Sequence, residues 1–288
     1  MKANNPMYKP LVDRRQTVIS ILFFLGFMVW GGYILSRPIA EVALTKVTNK
    51  LFQIPFFESS YLYIYHHLFA LVPVVLALLI YPFFGHRFFF YKKWLIPILL
   101  ASIPFIIWDI LFSNAGIWGF NSNYVTGFEI YSFPLEEILW FPVIGICSLF
   151  VYELLTHRDP ALNHKAFKNW LWITILCSIV VSVYYRESMY SGFSSWSVVF
   201  MCFIYWKYDL SGLFARVFRS FMVLLIPMFL FDGLLTGMFT KEGLVIYNLE
   251  ECTGVRLISI PIEDFLFGFS FILLIIFIEN RIAKHWKQ

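Results

Sequence analysis

Long apolar runs separated by short polar stretches dominate the chain. Runs of about 20 mostly apolar residues are long enough for a helix to cross the hydrocarbon layer of a membrane. They fall near 17–36, 60–83, 94–113, 132–154, 169–185, 190–206, 220–239 and 257–278. The pattern predicts an all-α, polytopic transmembrane helical bundle of about eight spans. The first run is too long for a signal-peptide core and lacks a small-residue cleavage site, so it is read as a helix. Composition narrows the class further. The 288 residues are 60% apolar and 14% charged, with a mean hydropathy of +0.73. A soluble domain carries about 25% charged residues, so a water-soluble fold is close to excluded. Disorder goes with it, since low hydrophobicity is what keeps a chain unfolded.

Charge orients the spans. With the N-terminus in the cytoplasm, the inner segments hold Lys2, Lys9, Arg14 and Arg15; Arg87, Lys92 and Lys93; Arg158, Lys165 and Lys168; Lys207, Arg216 and Arg219; and Arg281, Lys284 and Lys287. That is sixteen of the 22 basic residues, leaving Arg37, Lys46, Lys50, Arg186, Lys241 and Arg256 outside. By the positive-inside rule both termini are expected in the cytoplasm. A net charge of +4 is too small to argue for nucleic acid. Cys147, Cys177, Cys202 and Cys252 form no CxxC pair and predict neither a disulfide framework nor a zinc site. The first three fall in apolar runs and are read as packing residues.

The chain repeats itself. Ile103-Pro104-Phe105-Ile106-Ile107-Trp108-Asp109 matches Ile226-Pro227-Met228-Phe229-Leu230-Phe231-Asp232 at an offset of 123. Gly116, Phe120, Asn121, Gly127, Pro134, Glu136 and Glu137 match Gly243, Tyr247, Asn248, Gly254, Pro261, Glu263 and Asp264 at a constant offset of 127. A four-residue insertion in the second outer loop accounts for the change. The copies start four spans apart, so both insert in the same direction, and two parallel repeats are expected. The halves are taken as 1–157 and 158–288, with repeats over about 60–155 and 190–280.

Six acids lie within the spans: Asp109, Glu136, Glu137, Asp232, Glu263 and Asp264. At 1.5 Å per helical residue they fall at about 20–24 Å above the inner face, in a single layer. Carboxyls inside hydrocarbon are costly and by default face the bundle interior and mark function. A proline at the first helical position with Glu two residues on is also an ordinary helix start, and such acids could tie two halves together structurally. Glu153 and Glu279 sit at the cytoplasmic end and are read as interfacial. His66 and His67, at the outer start of the second span, are read chiefly as interfacial-belt residues, with contact of one of them to the acid cluster as the alternative. Paired carboxyls in an aromatic, water-poor cavity can protonate an electron-rich alkene. Aromatic faces can hold the resulting cation, exclusion of water protects it, and a neighbouring carboxylate can take a proton away. No GxGxxG, GxxxxGK[ST] or metal-ligand His cluster is present.

Trp108-Asp109, Gly116-Ile117-Trp118-Gly119-Phe120-Asn121, Tyr124, Gly127 and Phe133-Pro134-Leu135-Glu136-Glu137 together resemble the lycopene cyclase domain of the membrane-integral lycopene β-cyclases of bacteria, archaea and fungi. The family signature is Pro-x-Glu-Glu/Asp near the start of a span, in two small subunits or in one fused chain, and this chain resembles the fused form. The second copy departs from the first: Phe231 stands for Trp108, Val245 for Trp118 and Asp264 for Glu137. The resemblance implies an enzyme, an intramolecular lyase of carotenoid biosynthesis. It would close the ψ end groups of lycopene to β-ionone rings, through γ-carotene to β-carotene. Plant-type cyclases bind a flavin on a dinucleotide-binding fold, which has no counterpart here, and no cofactor or metal is expected.

Glu136, Glu137, Glu263 and Asp264 are the expected acid/base set, with Asp109 and Asp232 tuning them or relaying protons. Asn121 and Asn248 are candidates to bond the carboxyls or shape the loops. Trp108, Trp118, Tyr124 and Phe141 are candidates to line the pocket, or else to pack against lipid or at the interface. The expected surroundings are the cell membrane, a lycopene substrate dissolved in its lipid, and contacts with other enzymes of the carotenoid pathway. A membrane prenyltransferase would need Asp-rich Mg²⁺ sites and basic residues for a diphosphate, yet the loop from Ser113 to Tyr131 has no Lys or Arg. A proton-coupled transporter shares intramembrane acids and repeats. A subunit that only binds carotenoid is the third alternative.

Overall fold

In a computed structural model the described residues are 51–80, 91–131, 133–158 and 164–285, with 22, 25–26, 29–34 and 36 of the first apolar run. Lys2, Lys9, Arg14, Arg15, Arg37, Lys46, Lys50, Arg87 and Lys287, on which the orientation partly rests, lie outside them. The fold is mostly helical. Seven long helices are described: α1 (Leu62–Ile80), α2 (Tyr91–Asn114), α3 (Leu135–Arg158), α4 (His164–Tyr184), α5 (Met189–Lys207), α6 (Ser211–Leu235) and α7 (Ile262–His285). Residues 29–34 are also helical. There Trp30 donates its indole N–H to Ser182 Oγ of α4 at 2.8 Å.

Among the described residues, four helices are long and apolar enough to cross a membrane: Leu62–Ile80, Trp94–Asn114, Leu135–Thr156 and Ser211–Leu235. Their outer faces are greasy. Leu79, Ile107, Leu111 and Ile226 are all more than half exposed, a surface suited to lipid rather than water. α6 begins nine residues before the expected span, so Arg216 and Arg219 are helical residues, not loop. Glu279, expected at the interface, is buried near Tyr152 and Tyr205.

The repeat is explicit in the helices. α1 and α5 begin and end 127 residues apart, and so do α3 and α7. Pro104 and Pro227 interrupt the hydrogen-bond ladders of α2 and α6 five residues before Asp109 and Asp232. The loops carry three short antiparallel ladders. β1 (Trp118–Phe120) pairs with β4 (Val245–Tyr247), β2 (Glu129–Ile130) with β3 (Phe133–Pro134), and β5 (Arg256–Leu257) with β6 (Ile260–Pro261).

The β1–β4 ladder joins the halves. Trp118 faces Tyr247, Gly119 faces Ile246 and Phe120 faces Val245. At an offset of 127, Gly119 and Ile246 are equivalent and the outer pairs exchange, which is the pattern a two-fold axis through the ladder produces. The flanking bonds obey the same axis: Asn121 N–H donates to Leu244 O and Asn248 N–H to Ile117 O, both at 2.8 Å. Corresponding loops therefore meet at one end of the bundle, and corresponding helices run the same way.

Equivalent glycines serve this loop for different reasons. Gly116 has φ +74° with open space around it, whereas a Cβ on Gly243 would stand 2.7 Å from Val245 O and 3.1 Å from Thr236 O. Gly116→Ala is expected to cost about 1–2 kcal/mol, the penalty of a left-handed L-residue. Gly243→Ala is expected to cost clearly more, because backbone must move. Thermal unfolding in detergent checks this, and equal melting temperatures would contradict the close approach at Gly243.

Candidate active site

A cavity of about 310 Å³ opens between the two halves. It is lined by α1, α3, α6 and α7, with single contributions from α2 and α5 and a roof from β1 and β4. Its wall extends from Glu137 to Val151 on α3 and from Asp232 back to Phe221 on α6, roughly 17–21 Å along the helices. Asp109, Glu137, Asp232 and Asp264 cluster at the roof end, and the remainder is apolar, with Trp140, Phe231 and Phe267 among its aromatic faces. All four acids are buried or nearly so.

Each half builds a carboxyl pair and supplies donors to it. In the first, Tyr63 of α1 donates its hydroxyl to Glu137 Oε2, Trp118 Nε1–H donates to Asp109 Oδ1 at 2.7 Å, and Asp109 lies within hydrogen-bonding reach of Glu137. In the second, Tyr190 of α5 donates to Asp264 Oδ1 at 2.5 Å, Tyr247 donates to Asp264 Oδ2 at 2.8 Å, and Asp232 lies within hydrogen-bonding reach of Asp264. Trp118 and Tyr247, one donor for each pair, are also partners across the β1–β4 ladder. Burial, then the charge of Asp264, pushes the Tyr247 phenol well above its ordinary value, so it stays a donor. Arg256 lies over the Tyr247 ring at 5.3 Å and donates to Ser259 O at 2.6 Å.

The first acid of each Pro-x-acid-acid motif is used differently. Glu136 Oε1 accepts Thr126 N–H at 2.8 Å and Thr126 Oγ1–H at 2.5 Å. Glu263 Oε1 accepts Thr253 N–H at 2.5 Å and Ser191 Oγ–H at 2.6 Å. Both are buried, yet neither is part of the cavity wall. They fasten the loop to the helix start while Glu137 and Asp264, one residue on, turn to the cavity.

Among the expected lining residues, Trp118 is in the wall. Trp108 packs behind it against Phe193 and Phe267, ring centroids 4.6 and 4.7 Å away. Phe141 is enclosed by Trp140 and Phe271. Tyr124 donates to Glu58 Oε2 at 2.7 Å. Asn121 and Asn248 shape the loops: the Oδ1 of each accepts the N–H two residues on, at 3.1 Å. Asn121 does bond a carboxyl, but that of Glu242 in the loop, at 2.9 Å.

Five residues around the site were not among the expected site residues. Tyr63 and Tyr190 stand 127 apart, so extending the repeat upstream would have found them. Tyr247 was aligned but given no role. His66 and His67, expected at the interface, are buried. His66 lines the cavity, and His67 Nε2 meets Glu136 O at 2.9 Å.

Glu263→Ala is expected to leave Thr253 N–H and Ser191 Oγ–H without an acceptor, a loss of about 1–3 kcal/mol for each buried group. Glu263→Gln keeps a carbonyl oxygen there and is expected to retain most of the stability. Denaturation of the two variants in detergent separates the cases, and equal losses would contradict the fastening role.

The comparisons with known proteins agree with the internal geometry. A family model described as lycopene cyclase matches residues 61–155 and 188–282, two segments whose starts and ends are again 127 residues apart. No curated protein matches the chain, and no solved structure does. The matched segments cover more than half of the sequence, and the chain belongs to the lycopene cyclase family, with two copies of the family's domain in one polypeptide.

Proposed function

We propose that the chain is a lycopene β-cyclase of the cell membrane that closes both ψ end groups of lycopene by acid/base chemistry, an intramolecular lyase reaction. The observation that carries this reading is the clustering of two donor-supported carboxyl pairs at one end of an apolar cavity. Two carboxyl groups within hydrogen-bonding reach need a hydrogen between them, since ionised carboxylates only accept. That hydrogen is the acid. The polyene lies along the apolar wall with its end group under the roof, entering from the lipid.

The pair adds its proton to the CH carbon of the terminal double bond. The positive charge falls on the dimethyl carbon, the more substituted end. The next double bond attacks that carbon through the atom bearing the polyene and closes the six-membered ring. The charge moves to the methyl-bearing ring carbon, where Trp140, Phe231 and Phe267 offer aromatic faces to it. Loss of the hydrogen from the polyene-bearing ring carbon leaves its electron pair as the ring double bond, giving a β ring. One proton enters and one leaves, so no electrons are exchanged with any partner. Glu136 and Glu263 support this by holding the loops in register, Asp109 and Asp232 by sharing the proton with Glu137 and Asp264. Both termini lie on the cytoplasmic side in this reading.

Expression in cells that accumulate lycopene, followed by pigment chromatography, tests the proposal. Bicyclic β-carotene is expected, and unchanged lycopene with the protein well expressed would overturn it. Glu137→Gln and Asp264→Asn each remove an ionisable group at nearly constant volume. Each is expected to lower ring formation about a hundred-fold, a typical general acid–base contribution. Full activity in both would remove the acid role from these residues.

A further inference from the structure

We infer that His66 is the base that takes the proton from the ring carbon and so fixes the position of the ring double bond. The inference rests on the cyclase reading above and adds to it a residue outside the carboxyl motifs. Its ground is a chain of hydrogen bonds that dictates where the histidine hydrogens lie. His67 Nε2 is 2.9 Å from the backbone carbonyl of Glu136, which only accepts, so that nitrogen carries the hydrogen. In a neutral ring His67 Nδ1 is then a bare lone pair. His66 Nδ1 lies 3.3 Å from it and must be the donor. This leaves His66 Nε2 without a hydrogen. His66 is fully buried, lines the cavity, and its Nε2 has no hydrogen-bond partner among the described residues.

Among the wall acids, Asp232 Oδ2 likewise has no hydrogen-bond partner among the described residues, whereas several carboxyl oxygens are engaged. Both oxygens of Asp264 accept phenol hydrogens, Glu137 Oε2 accepts from Tyr63 and Asp109 Oδ1 from Trp118. With Asp264 filled from both sides, the hydrogen shared with Asp232 sits on Asp232. The carboxyl cluster is thus arranged to hold and give protons, and the imidazole lone pair is arranged to take one.

Depth agrees with this division. Tyr63, His66, Ala70 and Pro73 of α1 share the cavity stripe, and His66 lies about 4.5 Å deeper along the helix than Tyr63. The carbon that receives the proton is at the tip of the substrate, nearest the acids. The carbon that loses one carries the polyene and lies toward the apolar depth. The Phe231 ring stands nearly perpendicular to the His66 ring, centroids 5.8 Å apart, which holds the imidazole beside an aromatic side chain suited to the cation. After the transfer, His66 holds two hydrogens and a carboxyl pair has lost one. Return of that proton to the carboxyl pair restores both groups.

The second half has no such base. Phe193 and Ser194 stand where the repeat places His66 and His67, and Phe193 packs against Trp108 outside the wall. Phe is therefore compatible with this helix position, which supplies a variant that keeps the fold.

The test compares wild type, His66→Gln and His66→Phe in lycopene-accumulating cells. Ring formation is expressed per amount of membrane-inserted protein, and the position of the ring double bond is read by chromatography and NMR. Both variants are expected to lose β rings about a hundred-fold or more. The residual rings are expected to include isomers with the double bond displaced, because the cation then sheds a different hydrogen. A residue of purely structural importance would reduce yield without changing the isomer. β rings alone in either variant, at any rate, or wild-type rates in both, would overturn the assignment. Absence of rings from the wild-type chain would instead overturn the cyclase reading itself.

Discussion

A carboxyl group buried in a protein interior needs donors for its oxygens, and much of this structure follows from supplying them to Asp109, Glu136, Glu137, Glu263 and Asp264. An unmet buried polar group costs about 1–3 kcal/mol, and a charged one more. Helices alone cannot supply the donors, because their backbone N–H groups are already used within the helix beyond the first turn. The chain supplies them from side chains one helix away, Tyr63 and Tyr190, and from loops folded back over the helix starts. The short ladders in an otherwise helical protein exist in this context. Without β1–β4, Trp118 and Tyr247 would have no fixed position from which to reach Asp109 and Asp264.

The same ladder explains why the two copies work as one. A pair of strands related by a two-fold axis has a central self-equivalent pair, here Gly119 and Ile246. The axis then brings the two helix starts at 135 and 262 to the same end and the acid pairs to the same cavity. A single copy would expose an unpaired strand edge and half of a cavity. Duplication completes both at once, and the common offset of 127 in two helix pairs, the hairpins and the β1–β4 strands shows that both copies share their geometry despite differing in composition.

Much of this was legible from residues alone. The span pattern placed α1, α2, α3 and α5 within about four residues at each end, because long apolar runs are read directly, while α7 begins five and ends seven residues later than expected. The repeat offset of 127 and the single depth of the acids were also visible. What sequence could not supply was which acid of each pair turns inward. Glu136 and Glu137 are chemically alike, and only the return of Thr126 onto Glu136 separates their roles. Of the aromatic candidates Trp118 lines the cavity and Trp108 does not, for a similar reason: both are near Asp109 in sequence, but the helix face of one points into packing and the strand direction of the other into the cavity. His66 was read chiefly as interfacial because a histidine near a span end usually is, whereas here it is buried, its Nδ1 against His67, which in turn meets Glu136 O.

Symmetry also limits what the fold can do, and the departures from it are informative. A cavity with two identical carboxyl pairs offers the same chemistry from both sides and no reason for one proton to arrive and another to leave in a fixed order. The differences between the halves break that tie. Asp264 receives two phenol hydrogens where Glu137 receives one, Arg256 stands over Tyr247 where the first copy has Glu129, and the His66–His67 pair has only Phe193 and Ser194 opposite it. A reaction that adds a proton at one ring carbon and removes one from another needs such polarity across the cavity. Duplication provided the paired walls, and differences at a few positions around a shared ladder give those walls a direction.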